Sequence, residues 1–267
     1  MKIAIIIPAR YGSTRFPGKP LTMIAGETML SRVVDIARDV QTEHSNIRIA
    51  VATEDRRIAD HCDDIGVTCV MTSENCPTGS DRVLEAAEKI DPDLDFVVGL
   101  QGDAPFTPKD AIMKMIAHVQ THPECEVVTP VLRLRWEVLD QLRENKKTTP
   151  FSGTTAIIAP DGQALWFSKN IIPAIRKEAS HRENTELSPV HQHIGLYGYR
   201  LDVLRRYVRF PQSHYELLEG LEQLRLLENG IKIHTVETLE VDDELQGGID
   251  SPEDVARVER VLKVSVR

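Results

Sequence analysis

Three shortages in this sequence each exclude a class of protein. Its four cysteines (Cys62, Cys69, Cys76 and Cys125) are too few for a disulfide scaffold and lack a C-x-x-C zinc pattern. We therefore expect core thiols in a reducing compartment. No apolar stretch approaches the ~18 residues that a membrane span needs. The N-terminus begins with a strand-like run rather than a signal peptide, so a cytoplasmic protein without membrane contact is expected.

Positive charge is also in short supply. Lys and Arg total 32 against 41 for Asp and Glu, which gives a formal net charge of −9. Because non-specific nucleic-acid binding depends on excess positive charge, no nucleic-acid partner is expected. Any phosphate has to be held by a local basic loop or by a metal ion. Apolar residues at 41% and charged residues at 27% are typical of globular proteins and exclude a disordered chain.

Apolar residues in the first half alternate between strand and helix periods. The predicted strands are Lys2–Pro8, Ile47–Thr53, Val67–Met71 and Asp95–Leu100. The predicted helices are Thr28–Val40, Asp55–Ile65 and Gly79–Ile90. Strands that alternate with single helices predict an α/β fold, with a Rossmann-like, mostly parallel sheet flanked by helices.

The second half is less regular and predicts an antiparallel extension of the same domain, residues 1–267. Extended segments are predicted at Glu126–Leu132, Thr154–Ala159 and His193–Arg200, and helices at Thr107–Thr121, Tyr215–Glu228 and Ser251–Val264. Residues 173–192 are polar and weakly periodic, which predicts a long surface loop.

The segment Pro8–Pro20, directly after the first strand, carries three cations: Arg10, Arg15 and Lys19. Ligands of parallel sheets bind beyond the carboxyl ends of the strands, and Gly12 allows a close backbone approach. Phosphate binding is therefore favoured over a solvated basic loop, although both remain open. The patterns G-x-x-x-x-G-K-[ST] and G-x-G-x-x-G are absent, which disfavours a kinase-type P-loop and a nicotinamide cofactor.

Two aspartates are candidate metal ligands. Asp103 follows the fourth predicted strand and Asp250 precedes the last predicted helix. Carboxylate oxygens are suitable ligands for Mg²⁺, which neutralises charge on transferring phosphates. Each aspartate could instead cap a helix or stabilise a turn.

The segment Arg10–Pro20, R-Y-G-S-T-R-F-P-G-K-P, resembles the N-terminal signature of the 3-deoxy-manno-octulosonate (Kdo) cytidylyltransferase family. Five further segments match that family in order: Thr78–Arg82, Gln101–Asp103, His193–Arg200, Leu221–Arg225 and Gly248–Asp254. The resemblance therefore covers essentially the whole chain.

The resemblance implies a fold of the nucleotide-diphospho-sugar transferase type. It also implies transfer of CMP from CTP to the anomeric hydroxyl of Kdo or a close relative, with release of pyrophosphate, for lipopolysaccharide or capsule synthesis. Residues 1–125 would bind the nucleotide, residues 126–250 would bind the acceptor and form a homodimer, and residues 251–267 would form a C-terminal helix.

The resemblance also assigns individual residues to the site. The implied catalytic residues are Arg10, Arg15, Lys19 and Asp103, and Asp103 and Asp250 would hold Mg²⁺. The implied nucleotide-binding residues are Pro8, Ala9, Arg10, Gly12, Ser13, Lys19, Thr78, Ser80, Arg82, Gln101 and Asp103. The acidic sugar would contact Gln101, His193, Tyr197, Glu222 and Gln223.

The residues by themselves allow ordinary structural roles as well, such as Ser80 capping a helix. Three departures from the family pattern bear on the metal site or on the acceptor. Ala104 replaces the usual glutamate beside the candidate metal ligand Asp103. Nearer the acceptor, Ser152 and Thr155 replace asparagine and lysine, and Ala174 follows Pro173 where an aromatic is usual. They leave open a different acidic acceptor, such as another ulosonate or a phosphonate, or a CTP-binding protein without turnover.

Overall fold

The computed structural model describes residues 1–12, 16–238, 249 and 251–265. Contacts divide the chain into two compact units: unit 1 contains residues 1–113, 196–205 and 241–267, and unit 2 contains residues 114–195 and 206–240. The separate roles expected for residues 1–125, 126–250 and 251–267 stay a prediction. Among the described residues, no helix has the length and apolar character needed to cross a membrane.

The described residues form strands and helices whose bounds are as follows. The strands are β1 (Ile3–Pro8), β2 (Met23–Ile24), β3 (Glu27–Thr28), β4 (Arg48–Thr53), β5 (Cys69–Met71), β6 (Phe96–Gly99), β7 (Val127–Arg135), β8 (Thr155–Ile158), β9 (Ala164–Ser168), β10 (Leu187–His193), β11 (Tyr197–Arg200) and β12 (Ile233–Glu237). The helices are α1 (Met29–Glu43), α2 (Arg56–Asp64), α3 (Gly79–Ile90), α4 (Lys109–Thr121), α5 (Trp136–Asn145), α6 (Glu178–Asn184), α7 (Leu201–Tyr207), α8 (His214–Glu219), α9 (Gln223–Glu228) and α10 (Pro252–Ser265). A short 3₁₀ helix spans Lys19–Leu21.

Unit 1 contains a mostly parallel sheet in the order β5-β4-β1-β6-β11. The first three pairings are parallel, and β11 joins the edge of β6 antiparallel. Ile5, Ile6 and Ile7 in β1 are fully buried, as expected for a strand covered on both faces. The predicted Rossmann-like α/β fold is confirmed, and the carboxyl ends of β1 and β6 lie side by side.

Unit 2 contains an antiparallel sheet in the order β7-β10-β8-β9, and β12 pairs with β7 in parallel. β8 and β9 form a hairpin that turns at Pro160–Gly162, where the Gly162 amide donates to the Ala159 carbonyl at 2.9 Å. The antiparallel extension is thus present. Its role in dimerisation stays a prediction.

Several predicted elements differ from the observed ones for physical reasons. The loop predicted over 173–192 contains α6 and β10. Because no residue of α6 is buried, it has no apolar period from which it could be predicted. The helix predicted over Tyr215–Glu228 is two helices, because Gly220 ends α8 in the left-handed conformation at φ 65°. The strand predicted over His193–Arg200 is also interrupted. β10 ends at His193 and pairs with β7, whereas β11 begins at Tyr197 and pairs with β6.

Candidate active site

Lys19 and Asp103 meet in unit 1, just beyond the carboxyl ends of β1 and β6. Lys19 Nζ donates to Asp103 Oδ2 at 2.8 Å. Lys19 lies in the 3₁₀ helix that follows the basic loop and is 9% exposed, whereas the Asp103 side chain is 39% exposed. A buried cation is thereby held against a carboxylate that solvent and ligands can reach. This is the edge of the sheet at which ligands of parallel α/β proteins bind.

The segment before α10 also reaches Asp103. The Ile249 amide donates to the Asp103 carbonyl at 3.0 Å. Ile249 is buried in a cluster with Ile24 of β2, Met29 of α1 and Val258 of α10. Asp250, the second expected metal ligand, lies outside the described residues, so its role stays a prediction.

Two glycines allow the chain to pack closely at the same edge. A Cβ atom at Gly102 would lie 2.7 Å from the Pro8 carbonyl oxygen, so glycine is required for this approach. A Cβ atom at Gly79 would lie 3.9 Å from both Gln101 Oε1 and Pro8 Cγ. The structure therefore brings the predicted Pro8, Ala9 and Gln101 together with the N-terminus of α3. A helix N-terminus at this edge favours an anion.

The basic loop is closed at its base. The Gly18 amide donates to the Tyr11 carbonyl at 3.0 Å, and Gly18 adopts φ 73°. The Arg57 guanidinium carbon lies 3.3 Å from the centre of the Tyr11 ring, a cation–π contact that holds the loop to α2. Arg10 and Gly12 are exposed on this loop. Ser13 and Arg15 lie outside the described residues, and their expected contacts with the nucleotide stay predictions.

Helix α3 begins with a capping box in which Thr78, rather than Ser80, is the N-cap. The Asp81 amide donates to Thr78 Oγ1 at 3.3 Å, and the Thr78 amide donates to Asp81 Oδ2 at 3.1 Å. The alternative role of Ser80 as the cap is therefore wrong. Arg82 is buried and pairs with Glu54 at 2.6 Å, a partner that the sequence did not indicate. Contact of Thr78, Ser80 and Arg82 with the nucleotide stays a prediction.

His193 is part-buried in unit 2, at the end of β10. Its Nε2 lies 3.0 Å from Thr129 Oγ1, and its ring meets the Phe167 ring edge-on at 5.1 Å. Burial and, to a smaller extent, the positive charge of Lys169 lower the pKa of His193 to about 3. The imidazole is therefore neutral across the physiological range and can orient a ligand by hydrogen bonding without carrying charge.

Lys169 is a candidate functional residue that the sequence analysis missed. It follows β9, and its amide donates to Glu219 Oε2 at 2.8 Å. Burial lowers the pKa of the Lys169 ammonium, while the Glu219 carboxylate opposes that shift. The signal in the sequence is a lysine that directly ends the apolar run Ala164–Ser168. Because β9 was not predicted, the position of Lys169 at the end of a strand was not recognised.

The remaining predicted acceptor residues occupy different elements. Gln223, at the start of α9, is 5% exposed, and its Nε2 has no hydrogen-bond partner among the described residues. Glu222 precedes it, and its carbonyl accepts from the Tyr207 hydroxyl at 3.2 Å. Tyr197 belongs to β11 of unit 1, where its ring stacks on that of Tyr199 with 5.9 Å between the centroids. A buried amide without a protein partner suits a ligand that supplies an acceptor.

A parallel α/β sheet whose carboxyl edge carries a lysine–aspartate pair near a helix N-terminus is typical of proteins that bind nucleotides. The model of a family described as cytidylyltransferase matches residues 4–233, and this chain belongs to that family.

Known proteins resemble the chain over nearly its full length. The 3-deoxy-manno-octulosonate cytidylyltransferase of Maricaulis maris is 42% identical over 98% of this chain and 97% of its own length. That of Cytophaga hutchinsonii is 38% identical over 97% of this chain and 96% of its own length. A solved CMP:2-keto-3-deoxy-manno-octonic acid synthetase in complex with CTP superposes with a TM-score of 0.83 at 30% identity, covering 99% of this chain and 100% of that one.

Proposed function

We propose that this protein transfers CMP from CTP to the anomeric hydroxyl of Kdo and releases pyrophosphate. The observation that carries the proposal is the Lys19–Asp103 pair beyond the carboxyl ends of β1 and β6. Beside this pair, Gly102 packs so closely against the Pro8 carbonyl that no side chain would fit. Relatives that match nearly the whole chain and carry the name of this activity support it.

The proposed reaction needs no covalent enzyme intermediate. The sugar hydroxyl attacks the α-phosphorus of CTP in line, its proton is lost, and pyrophosphate leaves. Lys19, together with Arg10 and Arg15 of the basic loop, neutralises the triphosphate. Catalysis then consists of positioning and electrostatic stabilisation.

We propose Mg²⁺ as the cofactor, with Asp103 and Asp250 as its ligands. Lys19 donates a hydrogen bond to one carboxylate oxygen of Asp103. The carboxylate is part-exposed and has a second oxygen, so it fits a hard cation as a ligand. The bound ion would supply charge neutralisation at the transferring phosphate.

Unit 2 supplies groups that suit an acidic, hydroxyl-rich acceptor. Lys169 offers a positive charge for a carboxylate, His193 offers a neutral imidazole, and Gln223 offers a buried amide. We propose that these residues and Glu222 recognise the acceptor. The acceptor contacts expected of Gln101 and Tyr197, which belong to unit 1, stay predictions.

The proposal is tested by following pyrophosphate release with CTP, Mg²⁺ and Kdo. We expect turnover that requires all three components.

Replacing Lys169 by methionine should raise the KM for Kdo by about 10- to 100-fold, because the variant loses a charge-assisted hydrogen bond to the acceptor. The KM for CTP should stay unchanged. Lys147→Met, at an exposed lysine of the same unit, is the matched control and should behave as wild type.

Absence of pyrophosphate release with Kdo, in a protein that still binds CTP, would contradict the proposed acceptor. The second candidate is a different acidic acceptor, because Thr155 stands where the family usually has lysine. Its buried hydroxyl donates to the Asn170 carbonyl at 2.7 Å and accepts from the Ile172 amide at 3.1 Å. This side chain supplies no charge to a ligand. Release with another ulosonate or a phosphonate, but not with Kdo, would select that candidate.

We also propose that the protein is a cytoplasmic homodimer. None of its four cysteines forms a disulfide, which suits a reducing compartment. Unit 2 exposes large apolar side chains around β9 and α8: Leu165 is 59% exposed, Leu217 64% and Leu218 67%. An apolar surface of this kind is typical of an interface between protein chains.

The double variant Leu217→Glu/Leu218→Glu should weaken dimerisation by about 100-fold or more, because it would place like charges on facing copies. Sedimentation velocity over a concentration series measures the shift. Met71→Glu, at an exposed methionine of unit 1, should leave the dimer intact. A wild-type protein that sediments as a monomer at all concentrations would refute the dimer.

A further inference from the structure

Two histidines and a cysteine that lie far apart in the sequence converge in unit 2. His118 lies in the last part of α4, Cys125 precedes β7, and His234 lies on β12. One ligand atom from each, a ring nitrogen or the sulfur, lies within 4.8 Å of the other two. Within the part of the chain that the structure describes, this group is a candidate for binding a metal through three side chains.

The separation of these atoms is close to that of a zinc site. Zn–N bonds of about 2.0–2.1 Å and a Zn–S bond of about 2.3 Å place tetrahedral ligand atoms roughly 3.3–3.6 Å apart. The observed upper limit of 4.8 Å therefore needs a contraction of about 1.2–1.5 Å, which side-chain rotation can supply. The backbone is already in place, because β12 and β7 pair in register with His234 opposite Val128.

The His118 ring offers a nitrogen that suits a metal. Nε2 of His118 is buried and has no hydrogen-bond partner among the described residues. A buried ring nitrogen without a partner is costly unless a ligand satisfies it.

We propose that His118, Cys125 and His234 bind one Zn²⁺ ion. Imidazole and thiolate ligands select zinc over Mg²⁺, so this site is chemically distinct from the carboxylate site at Asp103. Water takes the fourth position. Cys125 loses its thiol proton on binding, and the two histidines bind as neutral imidazoles.

The ion would act as a structural clamp. It joins the end of α4, the segment before β7, and β12, three pieces of chain that are remote in sequence. Since a folded site binds zinc more tightly than an unfolded chain, zinc stabilises the folded protein. His122 stacks on His118 with 4.2 Å between ring centroids and covers one face of the His118 ring.

The test is zinc titration of the full chain against a chromophoric zinc chelator in excess Mg²⁺, which occupies carboxylate sites. We expect one equivalent of zinc per chain to be withheld from the chelator. Co²⁺ in place of zinc should produce a thiolate-to-cobalt charge-transfer band. Zinc should also raise the thermal unfolding temperature.

The variants assign the ligands. Cys125→Ser should abolish the cobalt charge-transfer band, and His118→Gln should weaken zinc binding by at least about 10-fold. His118→Gln is expected to fold without metal, because Nε2 of His118 has no hydrogen-bond partner in the part of the chain that the structure describes. Cys76→Ser and His181→Gln, at positions outside the cluster, are the matched controls and should bind zinc as wild type does. Circular dichroism verifies the fold of each variant.

Two results would overturn the proposal. One is a wild-type chain that releases all its zinc to the chelator. The other is zinc binding that survives His118→Gln and Cys125→Ser but is lost in Asp103→Asn, which would place the ion at the carboxylate site.

Discussion

Replacing Asp103 by asparagine is expected to lower the turnover number by about 10³-fold while the protein stays folded. The change removes the negative charge that faces Lys19 Nζ at 2.8 Å and that we propose binds Mg²⁺. Asparagine has nearly the same shape, so the close packing at Gly102 is kept. The measurement is pyrophosphate release under saturating CTP and acceptor, with circular dichroism as the test of folding.

The control for Asp103→Asn is Asp93→Asn. Asp93 is an exposed aspartate of the same unit, in the turn after α3, and its loss should leave turnover unchanged. An Asp103→Asn enzyme that keeps the wild-type rate at every Mg²⁺ concentration would remove Asp103 from the metal site and from catalysis.

Replacing Arg225 by methionine should lower the free energy of unfolding by about 3–5 kcal/mol. Arg225 and Glu216 form a bidentate pair that is 6% and 3% exposed, with Arg225 Nε donating to Glu216 Oε2 at 2.8 Å. The variant leaves the Glu216 carboxylate buried without its cation. The pair joins α8 to α9, so it also positions Gln223. Urea unfolding measures the loss.

Two further variants separate the lost pair from lost packing. The double variant Glu216→Gln/Arg225→Met should be more stable than Arg225→Met, because no buried charge is left unpaired. Arg206→Met, which breaks the exposed pair with Glu126, should cost less than about 1 kcal/mol. If the single and double variants at 216 and 225 were equally unstable, packing rather than charge would explain the loss.

The Glu216–Arg225 pair also makes stability depend on pH. Burial raises the pKa of Glu216, but hydrogen bonds from Arg225 and the Ser213 amide outweigh it, and the net pKa is lowered. A carboxyl with a lowered folded pKa contributes stability above its unfolded pKa of about 4.3, and that stability is lost as the pH falls through the folded value. In Arg225→Met the buried carboxyl protonates more readily, so the difference from wild type should shrink in acid.

The parts that could be predicted from the sequence are those in which local patterns and structure agree. The apolar run of β1 and the helical period of α3 predicted their elements correctly. The convergence of Lys19 and Asp103 followed from the rule that ligands bind at the carboxyl edge of a parallel sheet. Thr78 was assigned to the nucleotide, and its capping role was not foreseen.

The parts that could not be predicted depend on tertiary structure. Helix α6 is held by ion pairs from Arg143 and Arg182 to Glu178, and such pairs leave no apolar period in the sequence. The helix break at Gly220 requires a backbone conformation that composition does not specify. The burial of Lys169 depends on the contact of its segment with Glu219, and the grouping of His118 with His234 depends on the pairing of β12 with β7.

The division of the chain into two interleaved units has a consequence for its synthesis. The polypeptide passes between the units after residues 113, 195, 205 and 240, so neither unit is one continuous piece. The Ile249 amide that bonds Asp103 emerges from the ribosome after all of unit 2. A nascent chain can therefore assemble β1, β4, β5 and β6 early. It adds the Ile249 contact to Asp103, at the carboxyl edge of that sheet, only when translation is nearly finished.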